Sequence, residues 1–257
     1  MSSCMPSGGR LSVVGLGPGD AALMTDQVRA TIAAASDAFG YFPYVERLQG
    51  LGHLQLHASD NREELDRARA ALDLAAQGRQ VLMLSSGDPG VFAMASAVFE
   101  VLDIATPEQA RRWAAVDIEV QPGITAMLAA AARLGAPLGH DFCCINLSDN
   151  LKPAAVIEKR IRLAAQADFA MAFYNPCSTS RPEGFRRALR VLREECEPGR
   201  LICFARNVSR PDETLRVLPL EAVTPDMADM RSVVIVGNSM TRQVGKHVYT
   251  PRSYPDA

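Results

Sequence analysis

Residues Leu11–Asp20 read LSVVGLGPGD, an apolar run with two valines that stops in Gly15, Gly17, Pro18, Gly19 and Asp20. Such a run favours a strand and the glycines end it, so bare backbone sits at the carboxyl end of the first strand. In open α/β sheets ligands bind at that edge. The stretch therefore points to an α/β fold with a small-molecule site at its first turn. A dinucleotide fingerprint does not fit: GxGxxG counted from Gly15 needs glycine where the chain has Asp20, and Pro18 has no N–H to offer a pyrophosphate. A carboxylate there would also repel a diphosphate. The plainer alternative is a tight strand-to-helix turn with no ligand.

The pattern returns twice. The unalternating run Gln80–Ser85 reads as a strand buried on both faces and ends in Ser86-Gly87-Asp88-Pro89-Gly90; the run 117–120 breaks at Gln121-Pro122-Gly123. Three glycine- and proline-rich strand ends at α/β spacing predict one shared pocket, with the first two on the same edge of one sheet. Between them the spacing predicts a helix capped by Thr25 and running through Val28, Ile32 and Ala35. It also predicts strands at 37–40 and 54–57, a loop of aromatics at Tyr41, Phe42 and Tyr44 able to stack on a flat ligand, and helices over 62–77, 91–102 and 125–134. The segment 135–141, GAPLGHD, has the composition of a hinge, which places a domain boundary between 1–138 and 139–257. Beyond it strands are expected at 142–147, 169–174, 201–205, 215–218 and, as the last one, 232–236, with helices over 153–167 and 182–195. A cleft between the two halves is the expected site.

With 257 residues, 48% hydrophobic and 22% charged, the chain can bury two ordinary cores. A net charge of −2 argues against nucleic acid as a partner. Seven arginines from Arg160 to Arg193 read as solvated helix faces or, less simply, as a surface for a polyanionic small molecule. Six cysteines, Cys4 among them, form no CxxC pair and the histidines no ligand spacing, so free thiols and no metal are expected. No secretory signal and no run of about 18 apolar residues is evident; a soluble cytoplasmic protein, not bound to membrane, is expected.

Taken in order, GLGPGD, SSGDPG, QPGITA, LSD, FYNP, FARN and VGNS, spanning Gly15 to Ser239, resemble the tetrapyrrole (corrin/porphyrin) methylase family. The resemblance implies two αβα domains holding S-adenosylmethionine between them, a tetrapyrrole substrate, S-adenosylhomocysteine as product, and a homodimer. Within the family, LGAPLGHDF, LSD, YNP and IVGNS together resemble the corrin-forming members. These imply methylation of ring carbon 17 of precorrin-3B with contraction of the macrocycle, or the same step on the cobalt-bearing counterpart.

Carried onto this sequence, the resemblance assigns donor contacts to Pro18, Ser86, Gly87, Asp88, Val91, Thr125 and Ala126. Asn175, Asn207 and Val208 follow from the second domain, largely through backbone. Asp88 is expected to meet the sulfonium or the methionine amino group. Substrate contacts are expected at Gly17, Tyr41, Asp149, Arg206 and Asn238, with Arg181 and Arg210 as further partners for its carboxylates. The proton transfers of ring contraction point to Asp20, Asp88, Tyr174 and His140 as catalytic candidates, with Asp141 and Asp149 as further acids. Rival readings are a family methylase acting on ribosomal RNA or a translation factor, a non-catalytic binding module, and a nucleotide-dependent reductase.

Overall fold

Strands β1 (Arg10–Gly15), β2 (Asp37–Tyr41), β3 (Gln55–Ser59), β4 (Gln80–Ser85) and β5 (Asp117–Gln121) form one sheet in the order β3-β2-β4-β1-β5, every pair parallel. The computed structural model describes residues 8–178 and 182–254; Cys4 and Arg181 lie outside them. The sheet belongs to the first of two compact units, Met1–Thr125 and Ala126–Ala257.

Both faces of the first sheet are covered, which explains its unalternating strands. Leu11, Val13, Val81 and Met83 pack on α3 (Glu64–Ala75), α4 (Met94–Asp103) and α5 (Pro107–Trp113). Val14, Leu82 and Leu84 pack on the other face with Val28 and Ile32 of α1 (Asp26–Ala34). Burying each such side chain stabilises the fold by roughly 1.5–3 kcal/mol. Thr25 caps α1 as expected, its Oγ1 accepting from Val28 N at 3.2 Å. The aromatic loop after β2 is instead a helical turn, α2 (Phe42–Val45), because Pro43 stands in its first turn, where proline costs nothing. The polar segment before β5 is α5, closed by a capping box of Thr106 and Gln109.

Asp37 opens β2 completely buried. It accepts from Ser36 Oγ at 2.6 Å and Arg79 Nε at 2.6 Å, and pairs with His57 Nε2 at 3.0 Å. Burial pushes its pKa up, but these three hydrogen bonds outweigh burial and hold it below the usual carboxylate range. Because the folded-state pKa is lowered, the stabilisation is present at neutral pH and lost as pH falls through that pKa. Asp37→Asn should cost about 1.5 kcal/mol near pH 7, and the gap in unfolding free energy from wild type should narrow as pH falls through that lowered pKa. Denaturant titrations across an acidic pH series measure it.

The second unit carries α6 (Ala126–Leu134), β6 (Gly135–Ala136), β7 (Phe142–Asn146), α7 (Ala154–Gln166), β8 (Ala170–Tyr174), α8 (Glu183–Glu195), β9 (Leu201–Arg206), β10 (Thr214–Pro219), β11 (Ser232–Val236), β12 (Arg242–Val244) and β13 (His247–Tyr249). Its main sheet runs β10-β9-β11-β8-β7, with α7 and α8 packed on Ile145, Phe173, Phe204 and Val234 of one face. Three differences from the sequence reading matter. The division falls between Thr125 and Ala126 rather than after 138, because α6 packs on β11 and the GAPLGHD segment is held by the C-terminal hairpin: Gly135 and Ala136 pair with Val248 and Tyr249, and Thr250 Oγ1 donates to Pro137 O at 2.6 Å. Strand 232–236 is not the last; β12 and β13 follow it. And β11 is antiparallel to both β8 and β9, so its carboxyl end lies at the opposite edge from theirs.

Candidate functional site

The three glycine loops meet at the carboxyl edge of the first sheet. β1 and β4 are adjacent and parallel, so their ends emerge side by side; Gly17 N donates to Gly87 O at 3.2 Å and Gly87 N to Gly17 O at 2.9 Å. Both glycines have positive φ, +71° and +63°, the left-handed region that lets the loops turn toward each other. The β5 loop closes from the other side. A Cβ on Gly15 would stand 2.6 Å from Gly87 O and 2.7 Å from Gly123 N, and one on Gly123 would stand 2.2 Å from Gly87 O. Backbone lies against backbone here, and only glycine permits it.

Side chains fix that arrangement. Asp88 Oδ2 accepts from Gly123 N at 3.0 Å and Oδ1 from Gly90 N at 2.8 Å, tying the β4 loop to the β5 loop. Asp20 is exposed and accepts from Ala22 N at 2.8 Å, capping the short helical turn after the first loop. Arg47, which the sequence reading passed over, donates to three carbonyls of that loop: Leu16 O at 2.7 Å, Gly17 O at 3.2 Å and Gly19 O at 3.3 Å. In the sequence it is one arginine in a mixed stretch, VERLQG, with nothing to separate it from a surface residue. Ser86, Val91 and the buried Pro18 and Thr125 line the same loops, and Tyr41 stands at the end of β2, the neighbour of β4 on that edge.

In the second unit β7, β8 and β9 all end at one edge. Tyr174, Asn175, Arg206, Asn207 and Val208 are together there, with Asp149 three residues past β7. Asn175 and Asn207 have φ of +50° and +49°; asparagine is, after glycine, a residue that tolerates this region, so their type is explained by the turn they make. The Asn175 amide donates to Asn146 Oδ1 at 3.1 Å and the Asn207 amide to Asp212 Oδ2 at 2.6 Å. The Tyr174 hydroxyl accepts from Met127 N at 2.8 Å, holding the first turn of α6.

Two candidates are not brought to that edge. Asn238 follows β11 and is 2% exposed; its Oδ1 accepts from Met240 N and Thr241 Oγ1 within its own turn. His140 precedes β7, its Nδ1 accepting from Asp141 N at 2.8 Å and its ring edge-on to Tyr254. Both lie at the opposite edge of the sheet from Tyr174, where strand polarity puts them.

Of the arginines expected to meet carboxylates, Arg206 is engaged by the protein itself, as are several others of the second unit. Arg206 pairs with Asp229 at 2.8 Å, and the burial that pushes Asp229 up is outweighed by Ser232 and Arg206, which hold it low. Arg187 pairs with Asp149 at 2.7 Å, Arg190 with Glu158 at 2.7 Å, and Arg162 with Glu194 and Glu195. Arg210 is exposed. Among the described residues all five cysteines are free thiols, and no group of three or more His, Cys, Asp and Glu could hold a metal ion. No described helix is long and apolar enough to cross a membrane. A cavity of about 350 Å³ lies elsewhere in the first unit, lined by Ser12, Thr31, Glu119 and Gln121 among others; none of the loop residues above faces it.

Residues 10–224 match the family of Tetrapyrrole (Corrin/Porphyrin) Methylases. The chain is 50% identical over 254 residues to the precorrin-3B C(17)-methyltransferase of Sinorhizobium sp, covering 97% of this chain and 98% of that one. It is 45% identical to the cobalamin biosynthesis protein CobIJ of Mycobacterium tuberculosis, of which it spans about half, 49%. Among solved structures, the methyltransferase CobJ superposes with a TM-score of 0.90 at 61% identity, covering 95% of this chain and 100% of that one. A uroporphyrin-III C-methyl transferase from Thermus thermophilus, complexed with S-adenyl homocysteine, superposes with a TM-score of 0.66 at 22% identity over 89% of this chain and 97% of that one, which shows a shared fold.

Proposed function

The chain belongs to the tetrapyrrole (corrin/porphyrin) methylases, and from that premise we propose that it transfers a methyl group from S-adenosylmethionine to ring carbon 17 of precorrin-3B, with contraction of the macrocycle. The observation that carries this reading is the 50% identity to the Sinorhizobium methyltransferase along 97% of the chain. The glycine edge of the first unit fits the donor. Gly15, Gly87 and Gly123 bring the backbone of three loops together with no side chain between them, and the carboxylates of Asp20 and Asp88 suit a cation better than a diphosphate.

When bound, the donor supplies an electrophilic methyl on a sulfonium; the substrate carbon is itself the nucleophile. The chain's part is to hold the two in line and exclude water, a task of positioning that lowers the barrier by removing translational and rotational freedom in advance. We assign that task to the loops of Pro18, Ser86–Val91 and Thr125–Ala126. In the second unit we assign it to the edge of Tyr174, Asn175, Asn207 and Val208, acting through backbone groups turned by the two left-handed asparagines. Asp20 and Tyr174 are the acid–base groups assigned to ring contraction; in the free protein each accepts a backbone hydrogen bond. The protein acts as a homodimer in the cytoplasm, the first of which light scattering would check.

Incubation with methyl-labelled donor and precorrin-3B, read by product mass and absorption spectrum, tests the reading. A gain of one methyl with loss of the precorrin chromophore is expected. Transfer only to cobalt-factor III would move the substrate to the cobalt-bearing series, and transfer only to ribosomal RNA would end the reading. Arg47→Ala should weaken S-adenosylhomocysteine binding about tenfold by calorimetry, since three loop carbonyls lose a charged donor. Arg47→Lys should recover part of it, because a single ammonium cannot reproduce the guanidinium fork.

A further inference from the structure

Among the described residues five that are not glycine have positive φ, and four of them, Asp168, Asn175, Asn207 and Ser209, have short polar side chains. The fifth is Phe92, with φ of +53°. A bulky residue is strained in this conformation, and where such strain persists the surrounding structure holds it for a reason that is often functional. Burial does not account for it, since Phe92 remains 48% exposed.

Its place in the fold supplies the reason. Phe92 follows the SSGDPG loop at the end of β4, just before α4 begins at Met94. The neighbouring strand, β2, ends on the same edge in Tyr41, and Phe42 and Tyr44 follow it in α2. Phe42 is 49% exposed, and Tyr41 packs edge-on to Tyr44 with ring centroids 5.5 Å apart. Two half-exposed aromatic rings, Phe42 and Phe92, thus follow adjacent strands on the edge that carries the glycine loops. A tetrapyrrole is the ligand that these rings suit: broad apolar faces for aromatic contact, with its carboxylates on the rim.

Resting on the functional reading above, we infer that the ring of Phe92 is a contact surface for the tetrapyrrole, retained in a strained backbone conformation for substrate affinity and not for the fold or the donor. Phe92→Gly removes the ring and relieves the strain together; Phe92→Leu keeps apolar bulk and the strain.

Steady-state kinetics with precorrin-3B, calorimetry with S-adenosylhomocysteine and thermal unfolding, all on the full chain, separate these effects. For Phe92→Gly the expected result is a KM for precorrin-3B raised about tenfold, donor-product affinity within about twofold of wild type, and a Tm unchanged or higher. Phe92→Leu should recover most of the KM. An unchanged KM in Phe92→Gly would overturn the inference while leaving the functional reading intact, as would a fall in Tm or in S-adenosylhomocysteine affinity matching the rise in KM, which would make the residue structural. A wild-type protein that binds S-adenosylhomocysteine and leaves precorrin-3B unmethylated would overturn the reading and this assignment with it.

Discussion

Gly123→Val is expected to weaken S-adenosylhomocysteine binding by more than about 100-fold and to lower the unfolding free energy by about 3 kcal/mol. The first methyl-sized atom beyond Cα would already stand 2.2 Å from Gly87 O and 2.8 Å from Gly15 O. All of those atoms are backbone in parallel strands or in the loops that end them, so no side chain can swing aside. The β5 loop must move away from β1 and β4, and the bond from Gly123 N to Asp88 breaks with it. Two added methyls make the displacement larger than alanine would. Calorimetry reads the binding, and denaturant titration followed by far-UV circular dichroism reads the stability. A variant that binds within about tenfold of wild type would mean that the meeting of the three glycines is not where the donor rests. The same substitution at Gly52, a glycine with open space around it and no left-handed backbone, serves as the control for a general effect of valine.

The first sheet was legible because its signals are local. Gly15, Gly17, Gly87 and Gly123 mark positions where backbone conformation or close approach excludes a side chain, and such constraints are written residue by residue. The unalternating Gln80–Ser85 run likewise announces a strand covered on both faces. The second sheet carries a property that no local pattern records. SVVIV at 232–236 is buried at all five positions and would read the same whichever way the strand ran, so its antiparallel setting beside β8 and β9 could not be read from it. That one reversal carries Asn238 to the far edge, and it leaves Asn175 and Asn207 together at the near one. The hairpin of β12 and β13 is three residues on each side and mostly exposed, too short for a periodicity to emerge. Arg47 was illegible for another reason: its partners are carbonyls some thirty residues away, and an arginine bound to carbonyls has the same letter as one in water.

Asp88→Ala is expected to weaken S-adenosylhomocysteine binding by about 100-fold and to lower stability by about 2–3 kcal/mol, because a carboxylate bonded to two backbone N–H groups is lost and Gly123 N, which is part-buried, keeps no partner there. The informative variant is Asp88→Asn. If the charge of Asp88 acted on the sulfonium or the methionine amino group directly, Asp88→Asn would lose affinity with stability unchanged. The geometry predicts otherwise. Both carboxylate oxygens already face N–H groups, 2.8 Å from Gly90 N and 3.0 Å from Gly123 N. An amide can direct its single oxygen at Gly123 N and must then turn an N–H toward Gly90 N, so the exposed bond is the one given up. Stability and affinity should therefore fall together and modestly, by about 1 kcal/mol and about fivefold. Loss in both shows a brace that shapes the loops, and loss of affinity alone shows a counter-ion, so one pair of measurements on one variant decides how this carboxylate serves the donor.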